Sequence, residues 1–141
     1  MSYVTKQQMI DRFGQAEIEA LTDRDGTADA IVDAVLDPAI GRADAEINGY
    51  LAKVYSLPLA TVPDVLTDWA ADIARWQLYT DRIPDHVKDR YQAVIARLKD
   101  VAAGRMSLGD QTPADSQVSN SDTPQFSGPD RVFTRSSLTG L

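Results

Sequence analysis

The chain of 141 residues has the length of one ordinary domain, and 43% hydrophobic with 25% charged residues is the balance of a globular protein. A formal net charge of −7 argues against binding DNA by phosphate neutralisation, which requires clustered lysines and arginines. The absence of cysteine excludes disulfide frameworks and thiolate chemistry. The sequence also predicts no membrane span and no export signal, because it has neither a run of about 18 apolar residues nor a basic N-terminal segment followed by an apolar one.

Two short helices are predicted at the start of the chain. Thr5 can cap the first helix and Gly14 is a typical stop, after which a second helix follows over residues 15–22. The small apolar face of this second helix requires a larger surface to dock on. Residues 23–26 (Asp-Arg-Asp-Gly) are predicted as a polar turn, because aligning them with a calcium-binding loop leaves its first and last ligand positions apolar.

A third helix is predicted to begin after Thr27 and to continue to residue 54. The Asp37-Pro38 pair interrupts its pattern, so the sequence predicts either one kinked helix or two helices in line. Gly49 within it is interpreted as a place where a neighbour approaches closely. Three acidic residues at helical spacing are predicted to stay in solvent, namely Asp29, Asp33 and Asp37.

The rest of the body is organised around a central helix that contains both tryptophans. Pro63 marks its start and Pro84 ends the run, where a final amphipathic helix begins and continues to Gly104. The apolar stripe of the central helix is wide, and only a narrow polar seam remains at Asp68, Asp72 and Arg75. We therefore predict an all-α fold, a small bundle of about five helices with a long extended C-terminal arm. Its core anchors are predicted to be Leu66, Trp69, Ile73, Trp76, Tyr91 and Leu98.

The composition changes after residue 104. Of the 37 residues from 105 to 141, 17 are Ser, Thr, Gly or Pro, and apolar periodicity disappears. We predict a helical domain over residues 1–104 and an extended arm over residues 105–141. Apolar and arginine residues return near the end of the arm as candidate partner contacts: Phe126, Arg131, Phe133, Arg135, Leu138 and Leu141.

No catalytic, cofactor-binding or metal-binding residues are predicted. Asp68 and Asp72 have the spacing of a carboxylate ladder, but solvated helix faces explain such pairs more simply than a metal site. His86 is the one histidine of the chain, and its place in the first turn of a helix predicts a surface residue. The scattered glycines form no phosphate-binding loop.

Short patterns of particular residues are ordered along the whole body of the chain. They are Tyr3-x-Thr5, Met9-x-x-Arg12-Phe13-Gly14 with Glu17 and Leu21, Ala45-Glu46-Ile47-x-x-Tyr50-Leu51 with Tyr55-x-Leu57-Pro58-Leu59, Ala71-Asp72-Ile73-Ala74-Arg75, Arg90-Tyr91, and Gly104-x-x-x-Leu108-Gly109. The ending, Arg131-x-Phe133-x-Arg135 with Leu138 and Gly140-Leu141, adds one more. Taken together, this ordered set resembles a family of Mu-like phage and prophage proteins that join the DNA-filled head to the tail.

The resemblance implies a small helical head-tail adaptor, also called a connector or head-completion protein, without enzymatic activity or cofactor. Its expected partners are further copies of itself in a ring, expected to hold twelve, the portal protein, and a downstream tail or neck protein. DNA would pass through the channel without specific binding, and no membrane is involved. The expected location is the neck of the virion, after synthesis in the cytoplasm of the bacterial host.

Charge suggests which part would face the channel. Residues 1–46 carry 10 acidic and 4 basic side chains, so Asp29, Asp33 and Asp37 are candidate lumen-facing acids.

Two other functions stay open at this point. One is a small helical regulatory module that binds a partner protein, which the oligomeric state would distinguish. The other is a carboxylate-metal phosphohydrolase using Asp68 and Asp72, which a magnesium-dependent hydrolysis assay would distinguish.

Overall fold

The computed structural model describes residues 1–109, and this part of the chain is all-α. The predicted small bundle of about five helices is confirmed. In chain order the helices are α1 (Lys6–Phe13), α2 (Gln15–Thr22), α3 (Asp33–Leu51), α4 (Asp64–Leu78) and α5 (Asp85–Ala102).

The first two helices are set by the predicted cap and stop. The Gln8 N–H donates to the Thr5 hydroxyl at 3.3 Å, and the Thr5 N–H donates to the Gln8 side chain at 2.8 Å, which closes a capping box. Gly14 separates α1 from α2 with φ +89°, a conformation that glycine adopts without strain. The two helices form a unit, called here the α1–α2 pair, which buries Met9 and Ile18.

The third helix begins at Asp33, and the prediction that it starts after Thr27 is wrong. The Asp23 carboxylate accepts the backbone N–H groups of residues 27, 28 and 29 at 3.2, 3.0 and 3.1 Å. These bonds hold the segment as a loop, because a side chain satisfies the donors that would otherwise open a helix. Asp29 in this loop has a positive φ of 44°.

The Asp37-Pro38 pair does not divide the third helix. Pro38 lies in the second turn of α3, and the helix continues to Leu51. Proline at this position removes one backbone bond, to the carbonyl of Ala34, and the many buried side chains that follow compensate for its loss. Of the two predicted forms, the structure therefore has a single helix.

The core lies where α4 packs between α3 and α5. Leu66, Trp69 and Ile73 on α4 are at most 2% exposed, and Leu98 on α5 is fully buried. Alanines on α4 allow the neighbouring helices to approach closely, since they are buried and small: Ala70, Ala71 and Ala74.

Trp76 and Tyr91 were also predicted as core anchors, but both are partly exposed. Their rings stack with centroids 4.6 Å apart and planes 8° from parallel. The Tyr91 hydroxyl donates to a Glu46 carboxylate oxygen at 2.8 Å, which keeps its polar end near the surface. The two residues join α4 and α5 at the edge of the core rather than inside it.

Packing continues beyond α5, because Leu108 is 5% exposed and belongs to the same hydrophobic cluster. Its backbone N–H donates to the Tyr55 hydroxyl at 3.0 Å. The side chain thus lies against the segment that connects α3 to α4, four residues past the predicted end of the globular body.

Within residues 1–109, none of the helices has the length and apolar character needed to cross a membrane.

Candidate functional site

The polar seam of α4 meets charged residues from three other helices. Arg12 on α1 binds Asp68, and its second guanidinium nitrogen lies 3.1 Å from Asp72 Oδ2. Arg75, one turn further along α4, donates to Glu17 on α2 at 2.6 Å. We call the group formed by these residues with Arg90 on α5 the ionic cluster; it ties the α1–α2 pair to the central helix.

Two members of the ionic cluster are buried. Asp72 is 8% exposed and Arg75 is 9% exposed, although the sequence predicted a solvated seam for Asp72. That prediction is wrong because the α1–α2 pair covers this side of α4 and supplies the opposing charges. The side chain of Asp68 is 61% exposed and remains in solvent, as predicted.

A phenyl ring lies beneath the two arginines. The Phe13 ring centroid is 4.7 Å from the Arg75 guanidinium carbon and 5.6 Å from that of Arg12. Such cation–π contacts add attraction at sites that are shielded from water. The ring therefore gives each guanidinium group an attractive contact in addition to its carboxylate partner.

One oxygen of the cluster has no hydrogen bond within the described residues. Asp72 Oδ1 is buried, and its nearest cation is Arg90 Nη1 at 3.6 Å. The side chain of Arg90 is 56% exposed. A buried carboxylate oxygen without a donor costs stability, so the ion pairs on Oδ2 and from Arg90 offset part of that cost.

His86 lies at the edge of the cluster and is exposed, as predicted. Its Nε2 is 3.3 Å from a guanidinium nitrogen of Arg75. Because arginine can only donate, this contact requires that Nε2 carry no proton.

The ionic cluster is suited to holding helices together rather than to chemistry. Both carboxylates of the predicted metal alternative, Asp68 and Asp72, are bound by Arg12. Among residues 1–109, no three His, Cys, Asp or Glu side chains are grouped so that they could hold a metal ion. The carboxylate of Asp23, in the loop compared with a calcium site, is used by backbone N–H groups.

The three candidate lumen-facing acids are exposed but do not form one ladder. Asp29 lies in the loop before α3, while Asp33 and Asp37 lie in the first two turns of α3. The Asp33 carboxylate is 2.5 Å from Lys6 Nζ. The predicted common helix face is wrong, because the helix starts at Asp33.

The candidate contacts of the arm fall outside the described residues. They are Phe126, Arg131, Phe133, Arg135, Leu138 and Leu141.

Tyr3, a residue of the ordered patterns, contacts two residues of α3 that lie 41 and 45 residues further along the chain. The Tyr3 hydroxyl donates to the Asn48 side chain at 2.5 Å, and the Tyr3 N–H donates to Asp44 at 2.9 Å. Sequence reasoning did not identify these contacts. The signal in the sequence was a pair of polar residues one turn apart on α3, Asp44 and Asn48.

Comparisons with known proteins confirm the part of the resemblance that concerns Mu-like phages and prophages. The chain is related to proteins of Mu-like bacteriophages and prophages, which indicates a phage structural or morphogenesis role. It belongs to the family described as Bacteriophage Mu, Gp36, whose model matches residues 3–127.

Two relatives show how far the similarity extends. Gene product J of Escherichia phage Mu is 29% identical over 136 residues, which cover 96% of both chains. The Mu-like prophage FluMu protein gp36 of Haemophilus influenzae is 33% identical over 107 residues, covering 76% of this chain and 75% of that protein. The similarity to phage Mu therefore includes the arm as well as the helical body.

Proposed function

We propose that this protein is a structural component of the phage neck that joins the portal of the DNA-filled head to the tail. In this role it forms an oligomeric ring, expected to be a dodecamer, with a channel for DNA and no catalytic activity. The observation that carries the proposal is the match to gene product J of phage Mu over 96% of both chains. It is supported by the ionic cluster, which uses its charged groups to join helices rather than to form a reactive site.

A ring protein that transmits load between head and tail needs helices that keep their relative positions. Arg12 and Arg75 bind partners that lie 56 to 60 residues away in sequence. The Arg12–Asp72 and Arg75–Glu17 pairs fix the α1–α2 pair against α4 at partly buried positions, where charge-assisted hydrogen bonds are stronger than at the surface. The proposed function uses this body as a rigid building block.

The channel must let DNA slide without holding it. An excess of carboxylates repels phosphate over about 8–10 Å at ordinary ionic strength. The chain has a net charge of −7, and we propose that the exposed acids Asp29, Asp33 and Asp37 contribute to the channel wall.

The arm is the proposed contact with other neck proteins. Its apolar residues can fill a pocket on a neighbouring subunit, on the portal or on a downstream protein, and its arginines can pair with carboxylates there. After assembly the protein would lie at the head-tail interface of the virion, having been made in the host cytoplasm.

The test is a phage that lacks this gene, complemented with the wild-type gene carrying an internal epitope tag. Electron microscopy of the uncomplemented lysate should show filled heads and separate tails, and antibody labelling of complemented particles should mark the neck. Native mass spectrometry of the protein mixed with portal should give a stable ring. Tailed infectious particles without the gene, or label on the tail tip or capsid, would contradict the proposal.

A further inference from the structure

A groove of about 360 Å³ lies between the N-terminal segment, residues 2–6, and one face of α3. Its floor is apolar and includes Val4 and Ile40. Asp37 and Asp44 lie on its α3 side, on either side of Gly41. We call this feature the α3 groove; its volume is within the range of pockets that hold small ligands or single side chains.

Gly41 keeps the middle of the α3 groove open. It lies within α3, and glycine inside a helix makes that helix less stable than alanine would. A Cβ added at Gly41 would nevertheless meet nothing within 4 Å. No neighbour in the described chain therefore requires a glycine at this position. A side chain added there would point into open space along the helix face that lines the groove.

The groove carries an excess of negative charge. Lys6 is its one cation among the lining residues, and it is bound to Asp33 at 2.5 Å. Asp44 accepts the backbone N–H of Tyr3 at 2.9 Å, a contact that brings no positive charge into the groove. Asp37 is exposed, and no cation of residues 1–109 lies within 4 Å of it. A ligand with an apolar centre and a positive charge on each side would complement this surface.

The spacing of these groups defines the ligand further. Asp37, Gly41 and Asp44 stand at i, i+4 and i+7 of one helix face, so the two acids are roughly 10.5 Å apart along the axis. In the segment Arg131-Val132-Phe133-Thr134-Arg135, alternate residues of an extended chain share one side, which places the two arginines about 13 Å apart with Phe133 between them. Arginine side chains are long and flexible, so they can make up the difference between the spacing of the two acids and the spacing of the two arginines.

We propose that the α3 groove binds residues 131–141 of this chain, from the same copy or from a neighbouring one. Phe133 packs over Gly41, and Arg131 and Arg135 pair with the two acids. The 21 residues from 110 to 130 have a contour length of roughly 70 Å, enough for either arrangement. This inference rests on the proposed role of the arm as a contact segment, and it leaves Asp29 and Asp33 as the remaining acids of the proposed channel wall.

The experiment uses the full chain with Phe133 replaced by the photoreactive p-benzoylphenylalanine. After irradiation, mass spectrometry should find cross-links to the N-terminal segment and to α3 near Gly41. Links within one copy and between copies both support the groove. Links that fall mainly elsewhere on the body, or none at all, would overturn it.

Gly41→Gln and Gly49→Gln form a matched pair in the same background. Both positions are exposed helical glycines with nothing within 4 Å of an added Cβ, but only Gly41 lines the groove. Gly41→Gln should lower the cross-link yield by roughly tenfold, because it removes the site for one large apolar side chain. Gly49→Gln should leave the yield unchanged, and equal yields in both variants would contradict the proposal.

Asp37→Asn tests the charge contribution. It should lower the yield about two- to fivefold at low salt and have less effect at about 1 M salt, as expected for an exposed ion pair. The same effect at both salt concentrations would argue against pairing with the arm. If deletion of residues 126–141 blocks neck assembly while no cross-link reaches the groove, the groove proposal fails and the proposed function remains.

Discussion

Asp72 is the residue on which the packing of the α1–α2 pair against α4 depends most. It is buried, binds Arg12, and lies near Arg90 of a third helix. Asp72→Ala should lower the free energy of unfolding by about 1.5–3 kcal/mol, because it removes the charge-assisted hydrogen bond that Arg12 donates at a part-buried position. Urea unfolding monitored by circular dichroism measures this loss.

The exposed neighbour Asp68 provides the control for that measurement. Asp68→Ala should cost less than about 1 kcal/mol, since the side chain is 61% exposed and surface ion pairs contribute little. Equal losses in the free energy of unfolding for the two variants would mean that the contribution of Asp72 to stability does not depend on its burial.

Trp69 and Ile73 give the prediction for the core. Both are at most 2% exposed, so replacing either with alanine should lower the free energy of unfolding by about 2–5 kcal/mol through lost burial and a residual cavity. Met106→Ala, at an exposed methionine, should change it by less than about 0.5 kcal/mol. Wild-type unfolding of Trp69→Ala would show that α4 is not the central helix.

Tyr91 gives a prediction for alkaline pH. Burial, with the hydrogen bond to Glu46, raises its pKa from 10.0 to about 12. The folded protein holds this proton more tightly than the unfolded chain does. The resulting stability is therefore fully present below pH 10 and is lost as the pH rises towards about 12. Tyr91→Phe removes the titrating group, so its urea midpoint should fall less between about pH 9 and about pH 11.5 than that of wild type. An equal fall in both proteins would assign the alkaline loss to other groups.

At the scale of elements, α3 shows what a local pattern can and cannot predict. The cap at Thr5 and the stop at Gly14 depend on neighbouring residues, and both were predicted from sequence. The start of α3 was missed because the Asp23 carboxylate accepts the backbone N–H groups of residues 27–29. These hydrogen bonds compete with helix formation in that segment. The burial of Asp72 was missed for a different reason, since its partner Arg12 is 60 residues away.

The two glycines inside α3 give the prediction for this element. The sequence suggested that a neighbour approaches closely at Gly49, but nothing in residues 1–109 comes within 4 Å of an added Cβ there. Gly49→Ala should therefore stabilise the isolated protein by about 0.5–1 kcal/mol. Gly14→Ala should do the opposite, because its φ of +89° strains any side chain. Thermal melting of both variants checks the two signs.

At the scale of the whole molecule, the patterns that resemble the phage family account mainly for how the body folds. Arg12, Asp72 and Arg75 belong to the ionic cluster, and Tyr3, Glu46 and Tyr91 take part in hydrogen bonds between distant segments. Such residues predict the fold well because they carry its long-range contacts. They say less about the surfaces that would meet other copies or other neck proteins, which depend on assembly.

Deletion of residues 126–141 tests the arm in the complete phage. The helical body should keep its melting temperature, because its core and ionic cluster lie within residues 1–109. The yield of infectious particles should fall by at least roughly a hundredfold, since the deletion would remove all the apolar and charged contacts proposed for this segment at once. Complementation with the deleted gene and plaque counts measure this. A normal yield would show that the arm is dispensable.

The proposed channel predicts weak interaction with DNA. At about 150 mM salt the purified protein should show no retention of duplex DNA at micromolar concentration, because carboxylates exceed cations on the chain. A variant with Asp29 and Asp33 changed to asparagine should fold normally, since both residues are exposed, but should slow genome ejection. Tight DNA binding by the wild-type protein would contradict a repulsive wall.

The bond between the Leu108 N–H and the Tyr55 hydroxyl has a consequence for the reach of the arm. The body holds the chain as far as Leu108 rather than residue 104, so in the proposed ring the residues that follow would leave each copy beside the α3–α4 connection. Tyr55→Phe would remove the hydrogen bond but leave the Leu108 side chain in the hydrophobic cluster; loss of both contacts would move the point of departure back by about four residues, or roughly 14 Å of contour. In the proposed assembly, the distance that the following residues can reach would thus depend partly on a tyrosine 53 residues earlier in the chain.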